Sequence, residues 1–271
     1  MEGAESMSAE HELYLKRLKR QAALKRAAQI ILLALLLGAW EGAVRLGMAD
    51  AFIVSSPARV VRTIASLYSS HDLFPHIFAT FLETVAGFVS GTAIGVAAAV
   101  LLWFCPFAER VLDPYLVVLN ALPKIALGPI LIVWVGAGAS AIIVMALLVS
   151  TVVTVMTVLA GFIETDPAKL KLMATLGANR LQTFMKVVLP GSVPTLMSAL
   201  KISVGMSWVG VIVGEYLVSK RGLGYLIVYG GQVFKLDLVM ASIVILCALA
   251  AIMYYAVAWL EKAIDKRFGR G

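Results

Sequence analysis

Long apolar windows recur along this chain, at roughly 27–44, 77–103, 114–135, 141–162, 194–217 and 238–260. A helix needs about 20 apolar residues to cross a hydrocarbon core about 30 Å thick. Each window is close to that length or longer. A backbone in lipid must satisfy its own N–H and C=O groups, which a helix does. The windows therefore predict an all-α polytopic membrane protein with six transmembrane helices forming one membrane domain. Composition agrees. The chain is 61% hydrophobic and only 14% charged, where a soluble protein carries about 25% charged residues.

The sequence outside the windows sets their sidedness. Residues 1–26 form a polar arm, basic from His11 to Arg26, and residues 261–271 form a basic tail. From His11 to Arg26 the arm reads as a basic helix lying on the membrane face, or as a disordered tail leading into a short interfacial helix. The first apolar run starts too late for a simple cleaved signal peptide, so it is a retained span. With six spans, both termini share one side. That side, with Arg110 and the segment 165–190, holds 15 Lys and Arg, and the opposite side holds 6. The positive-inside rule puts both termini and the 165–190 segment in the cytoplasm. The net charge of +7 then follows from orientation and anionic lipid rather than from nucleic acid.

Several spans carry features beyond apolarity. The second has Gly87, Gly91 and Gly95 at four-residue spacing, which permits close helix contact. The third is interrupted by Pro114, Pro123 and Pro129, with Asn120 and Lys124 between them. The fifth carries Lys201, Ser203, Ser207, Trp208 and Glu215, which argues for an inward face. Glu83, Asn120, Lys124, Ser207 and Glu215 are the candidates for a translocation path. The other reading is a set of packing pairs, for example Glu83 with Lys124 or Lys201. Trp40, Trp103, Tyr225 and Trp259 stand near span ends as interfacial anchors.

The chemistry of catalysis is missing from the sequence. There is no GxxxxGK[ST] phosphate loop, and RGLGYL is too short to be one. His11, His71 and His76 are scattered outside the spans, and Cys105 and Cys247 lack metal-ligand spacing. The chain is therefore expected not to be an enzyme and to bind no metal or cofactor. Uphill transport would draw on a partner or, alternatively, on an ion gradient as in a secondary transporter.

The segment 165–200 sets polar and basic residues among apolar flanks. Thr165 or Asp166 can cap a helix that starts at Pro167. Leu170, Met173, Leu176 or Gly177, Leu181 and Phe184 then predict one apolar stripe. Such a helix is built to press on something; the plain alternative is an ordinary surface helix.

Leu176, Gly177 and Ala178, then Val187 or Val188, Leu189, Pro190 and Pro194, resemble the cytoplasmic signature loop of bacterial ABC importer permeases. That family has a Glu-Ala-Ala triplet ahead of the glycine. Lys171, Leu172 and Met173 depart from it at all three positions. The stretches SSPARVV, HIFATFLETVAGF, ERVLDPYLVVLNALPKIALGPILIVWVGAG and GEYLVSKRGLGYLI cover most of residues 50–235. They are similar to the nitrate, taurine and aliphatic-sulfonate uptake branch. At position 83 that branch often has Arg, and some members have Glu.

The resemblance implies a type I ABC importer permease-like fold in a bacterial inner membrane, taking up a small solute such as an organic or inorganic anion. It implies an identical second permease copy, two cytoplasmic ABC ATPase subunits carrying ATP and Mg, and an extracytoplasmic solute-binding protein. The helix 57–68 and the RGLGYL loop would form the outer docking surface. It also implies that Asp166, Pro167, Leu170, Met173, Leu176, Gly177, Ala178, Leu189 and Pro190 couple ATPase motion to the membrane helices.

Overall fold

The structure is a computed structural model and describes residues 2–267. The last four residues of the basic tail lie outside it. The chain divides into two compact units, 1–63 and 64–271.

The first unit contains α1 (Glu2–Arg45), α2 (Ala51–Val54) and the start of α3 (Pro57–Ser69). The polar arm and the first apolar window are one continuous helix, against the expectation of a disordered tail. The arm is rich in Glu, Ala, Leu, Lys and Arg, all strong helix formers, and no proline interrupts it. Glu41 Oε1 accepts from Arg45 Nε at 2.8 Å, and Glu41 Oε2 accepts the Ala58 N–H at 3.0 Å. That carboxylate satisfies an otherwise orphan donor at the head of α3.

In the second unit the elements run α4 (Leu73–Phe104), α5 (Pro106–Ala121), a 3-10 turn (Lys124–Leu127), α6 (Gly128–Val135) and α7 (Ala139–Ile163). Then come α8 (Pro167–Thr175), α9 (Arg180–Thr183), a π-helical turn (Phe184–Val188) and α10 (Leu189–Gly191). The chain ends through α11 (Val193–Val218), α12 (Leu223–Gln232) and α13 (Leu236–Arg267).

Five stretches are long and apolar enough to span a membrane: Tyr14–Arg45, α4, α7, α11 and Leu236–Ile264. A sixth span exists only if α5 and the stretch Lys124–Val135 are taken together, and they are bent by 85°. The third apolar window is thus broken, as the prolines within it predict. Pro123 sits at the break, where its missing N–H and its effect on Leu122 end the helix. Pro114 is accommodated inside α5, and Pro129 lies in the first turn of α6.

Helix α7 runs between α4 and α11 and packs along both. Small residues make this possible. A Cβ added to Gly87 would sit 2.6 Å from Ala146 Cβ, and one at Gly95 would sit 2.7 Å from Thr154 Cβ. On the other side, Cβ atoms at Gly210 and Gly214 would sit 2.5 and 2.9 Å from the Cα atoms of Ala146 and Ile142. In lipid, close packing and interhelical hydrogen bonds replace the hydrophobic effect as the force between helices. The bonds are here too: Ser203 Oγ lies 3.2 Å from both Thr92 Oγ1 and Thr154 Oγ1, joining the three helices through hydroxyls. Leu101, Val133, Trp134 and Trp259 point outward, as apolar side chains do when lipid is the solvent.

Candidate functional site

The segment after α7 is built from short-range devices. Asp166 Oδ1 accepts the Ala168 N–H at 2.8 Å and caps α8, with Pro167 in its first turn. Thr165 does not cap; its hydroxyl donates to the Phe162 carbonyl at 3.0 Å and so finishes α7. At the far end, the Ala178 N–H donates to the Met173 carbonyl at 3.0 Å and the Gly177 N–H to the Ala174 carbonyl at 3.1 Å. This pair of bonds is a Schellman motif, which needs a left-handed residue after the helix. Gly177 supplies it with φ +70. A Cβ at Gly177 would meet nothing within 4 Å, so the conformation and not crowding calls for glycine there.

The expected single apolar stripe is split. Leu170 and Met173 are half-buried, and Leu170 packs against the core formed by the ends of α4 and α7. Leu172 and Leu176 point away from it, 58% and 70% exposed. At about 100° per residue, residues 170 and 172 face opposite ways while 172 and 176 share a side. The helix also ends at Thr175, so Leu181 and Phe184 belong to later elements. Leu172 was not among the sequence candidates, although its four-residue spacing from Leu176 pairs them on one face.

From α8 the chain turns back through a capping box, with Asn179 Oδ1 accepting the Gln182 N–H and Gln182 Oε1 accepting the Asn179 N–H. Arg180 Nη1 then donates to the Phe104 carbonyl at 2.8 Å, at the end of α4. Phe184 is 4% exposed, and its ring lies 4.9 Å from Trp103, 5.3 Å from Phe104 and 5.3 Å from Phe162. Trp103 is therefore part of this aromatic cluster. Leu189 and Pro190 are half-buried, and Leu189 joins the same core. The neighbouring Ser192 hydroxyl donates toward the Gly161 carbonyl at 2.8 Å and the Val188 carbonyl at 2.9 Å. An open cleft of about 310 Å³ lies behind α8, lined by Gly161, Glu164, Thr165, Asp166, Lys169 and Thr195 among others. The segment is thus an exposed apolar face fastened to the ends of α4 and α7 and the start of α11.

The five membrane candidates fall into three places. Lys124 Nζ donates to the Asn120 carbonyl at 3.1 Å across the break between α5 and α6. Ser207 is fully buried, and its hydroxyl donates to the Ser203 carbonyl one turn back. Glu83 and Glu215 come together, and neither expected pairing of Glu83 with a lysine forms. Lys201 pairs with Glu261 of α13. It lies 14 residues before Glu215, about 21 Å along α11, far from the end that Glu83 faces.

Glu215 Oε2 accepts the Gly224 N–H at 2.6 Å and the Tyr225 N–H at 3.4 Å. It caps α12 from another helix. A Cβ at Gly224 would lie 2.8 Å from Glu215 Oε2, and one at Gly222 (φ +114) would collide with the same carboxylate. The Gly222 N–H donates to His76 Nδ1 at 2.9 Å and the Leu223 N–H to Thr80 Oγ1 at 2.8 Å. The head of α12 is therefore held by α4 and α11 together. Tyr225 stacks on His76 and Tyr229 rather than standing free as an anchor. Among the described residues, no three His, Cys, Asp or Glu side chains are grouped to hold a metal ion.

Comparison with known proteins places this architecture. The pattern that defines the binding-protein-dependent transport system inner membrane component family matches residues 91–270. A probable ABC transporter permease protein of Haemophilus influenzae is 31% identical over 85% of this chain and 94% of its own length. The taurine transport system permease protein TauC of Escherichia coli is 23% identical over 95% of this chain and 96% of its own. The inward-facing MetNI methionine ABC transporter contains a chain of the same fold, with TM-score 0.65 and 20% identity over 72% of this chain and 97% of that one.

Proposed function

The chain belongs to the family of binding-protein-dependent transport system inner membrane components, and from that premise we propose that its α8 segment is the coupling element of an ATP-driven importer. The protein is the membrane-spanning permease subunit of an ABC importer, taking up a small solute through the bacterial inner membrane. Such an importer combines a permease, an ATPase and a solute-binding protein, so the ion-gradient alternative gives way.

Two copies of this chain pair in the membrane above two ATPase subunits, with both termini and α8 in the cytoplasm. The observation that carries the reading is the exposed Leu172–Leu176 face on a helix capped at both ends and packed, through Leu170, on the core where Phe184 meets α4 and α7. An apolar face of this kind fills a groove on a partner, with Lys169, Lys171 and Arg180 around it in water. Asp166, Pro167, Gly177 and Ala178 fix the helix ends. Leu170, Met173, Leu189 and Pro190 pass its movement to the core. Asn120 and Lys124, at the break between α5 and α6, line the path between the two permease copies.

The carried solute is a small organic or inorganic anion, a reading supported by the likeness to a taurine permease. Co-purification with the cognate ATPase tests the coupling role. Leu172→Asp with Leu176→Asp should abolish capture of the ATPase while the permease stays in the membrane. Undiminished capture would sink the assignment. Ligand binding to the cognate solute-binding protein tests the substrate class, and preference for a cation would overturn it.

A further inference from the structure

Glu215 is 1% exposed, and only one of its two oxygens has donors. The other, Oε1, is buried with no hydrogen-bond partner, and so is Oε2 of Glu83. The two carboxyl groups are in contact. Ionised carboxylates only accept hydrogen bonds. Two of them facing each other in a low-dielectric interior repel and leave both inner oxygens unsatisfied.

One proton resolves both problems, and the surroundings decide where it sits. Glu215 lies at the head of α12, where two N–H donors and the positive end of the helix favour its charged form. Glu83 Oε2 has no donor at all. The other polar groups near the pair are already committed or do not face it. On α4, His76 Nδ1 accepts from Gly222, and the Thr80 hydroxyl, which stands beside Glu215, accepts from Leu223 and donates to the His76 carbonyl at 3.2 Å. From α11 the neighbour is Tyr216, from the turn Arg221, which acts on His76, and from α12 Tyr225.

We propose that Glu83 and Glu215 form a one-proton site in which the Glu83 carboxylic acid donates to the Glu215 carboxylate and fastens α4 to the head of α12. The proton exchanges with water and is not consumed. When the site is empty, a second negative charge stands beside Glu215 and the corner loosens. This holds whatever solute is carried and does not depend on the coupling role of α8.

Infrared spectroscopy of the purified permease–ATPase complex tests it. At about pH 7.5, ordinary carboxyl groups, with pKa values of about 4, are ionised. The wild type should still show the C=O stretch of a protonated carboxylic acid. Glu83→Gln should lose that band and keep the wild-type thermal midpoint, because its amide donates the same bond. Glu83→Ala should lose both the band and part of the midpoint. Glu215→Gln should lose the band as well. Absence of the band in the wild type, or its persistence in Glu83→Gln, overturns the proposal. So does a wild type that lacks the band and is stabilised by sodium or potassium, which would make the occupant a metal cation.

Discussion

Helices α8 and α12 are nearly equal in length, nine and ten residues, and a carboxylate caps each one, yet the two are held in opposite ways. Asp166 precedes its own helix, is exposed, and reaches a donor two residues on. Glu215 belongs to a different helix and is fully buried. Gly222, Gly224, His76 and Thr80 are all fitted around the same corner. The first arrangement leaves α8 free to present Leu172 and Leu176 outward. The second fixes α12 so that it cannot move without breaking several buried bonds. One helix leaves an apolar face uncovered, and the other is held in place from two neighbouring helices.

The comparison predicts a graded set of outcomes. Glu215→Ala should have the largest effect, because it strands the Gly224 and Tyr225 N–H groups in the interior. The loss should be about 3 kcal/mol, seen as a lower thermal midpoint of the purified complex; an unchanged midpoint would break the contrast between buried and exposed caps. Gly177→Leu comes next. Its left-handed backbone should cost about 1–2 kcal/mol, while uptake into reconstituted vesicles falls and ATP hydrolysis ceases to follow solute. Normal uptake with normally stimulated hydrolysis would show that the turn after α8 has no coupling role.

Asp166→Ala should cost about 1 kcal/mol, the usual worth of an N-cap. Asp166→Asn should recover most of it, which a thermal denaturation series can read. Leu172→Ser should be the mildest for stability, within about 0.5 kcal/mol as for surface changes generally. It should nevertheless weaken ATPase capture. A stable variant with undiminished capture would remove Leu172 from the contact face and leave Leu176 to carry it.

The membrane windows were legible in the sequence because lipid demands long apolar helices, and α4, α7 and α11 contain theirs. The start of α8 was legible for a different reason. A cap and a first-turn proline act over a few residues, so Asp166 and Pro167 could be placed by reading along the chain, whereas Gly177 read as a stripe position and proved to be the left-handed residue after the helix. The apolar face of α8 was not legible, because the split between Leu170 and Leu172 depends on where the core lies. Phe184 read as one more residue of a stripe, whereas it is the centre of an aromatic cluster with Trp103, Phe104 and Phe162.

Sequence by itself determined the fold class, the polar and basic interruption at 165–190 and the residues that begin its helix. These follow from hydropathy, helical period and backbone conformation, all local properties. Only the tertiary structure decided that Glu83 meets Glu215 rather than a lysine, and that Gly222 and Gly224 are small because a carboxylate lies against them. Those contacts join residues far apart in the chain, as the Gly222–His76 bond does across 146 positions. No local pattern encodes which distant side chain arrives there.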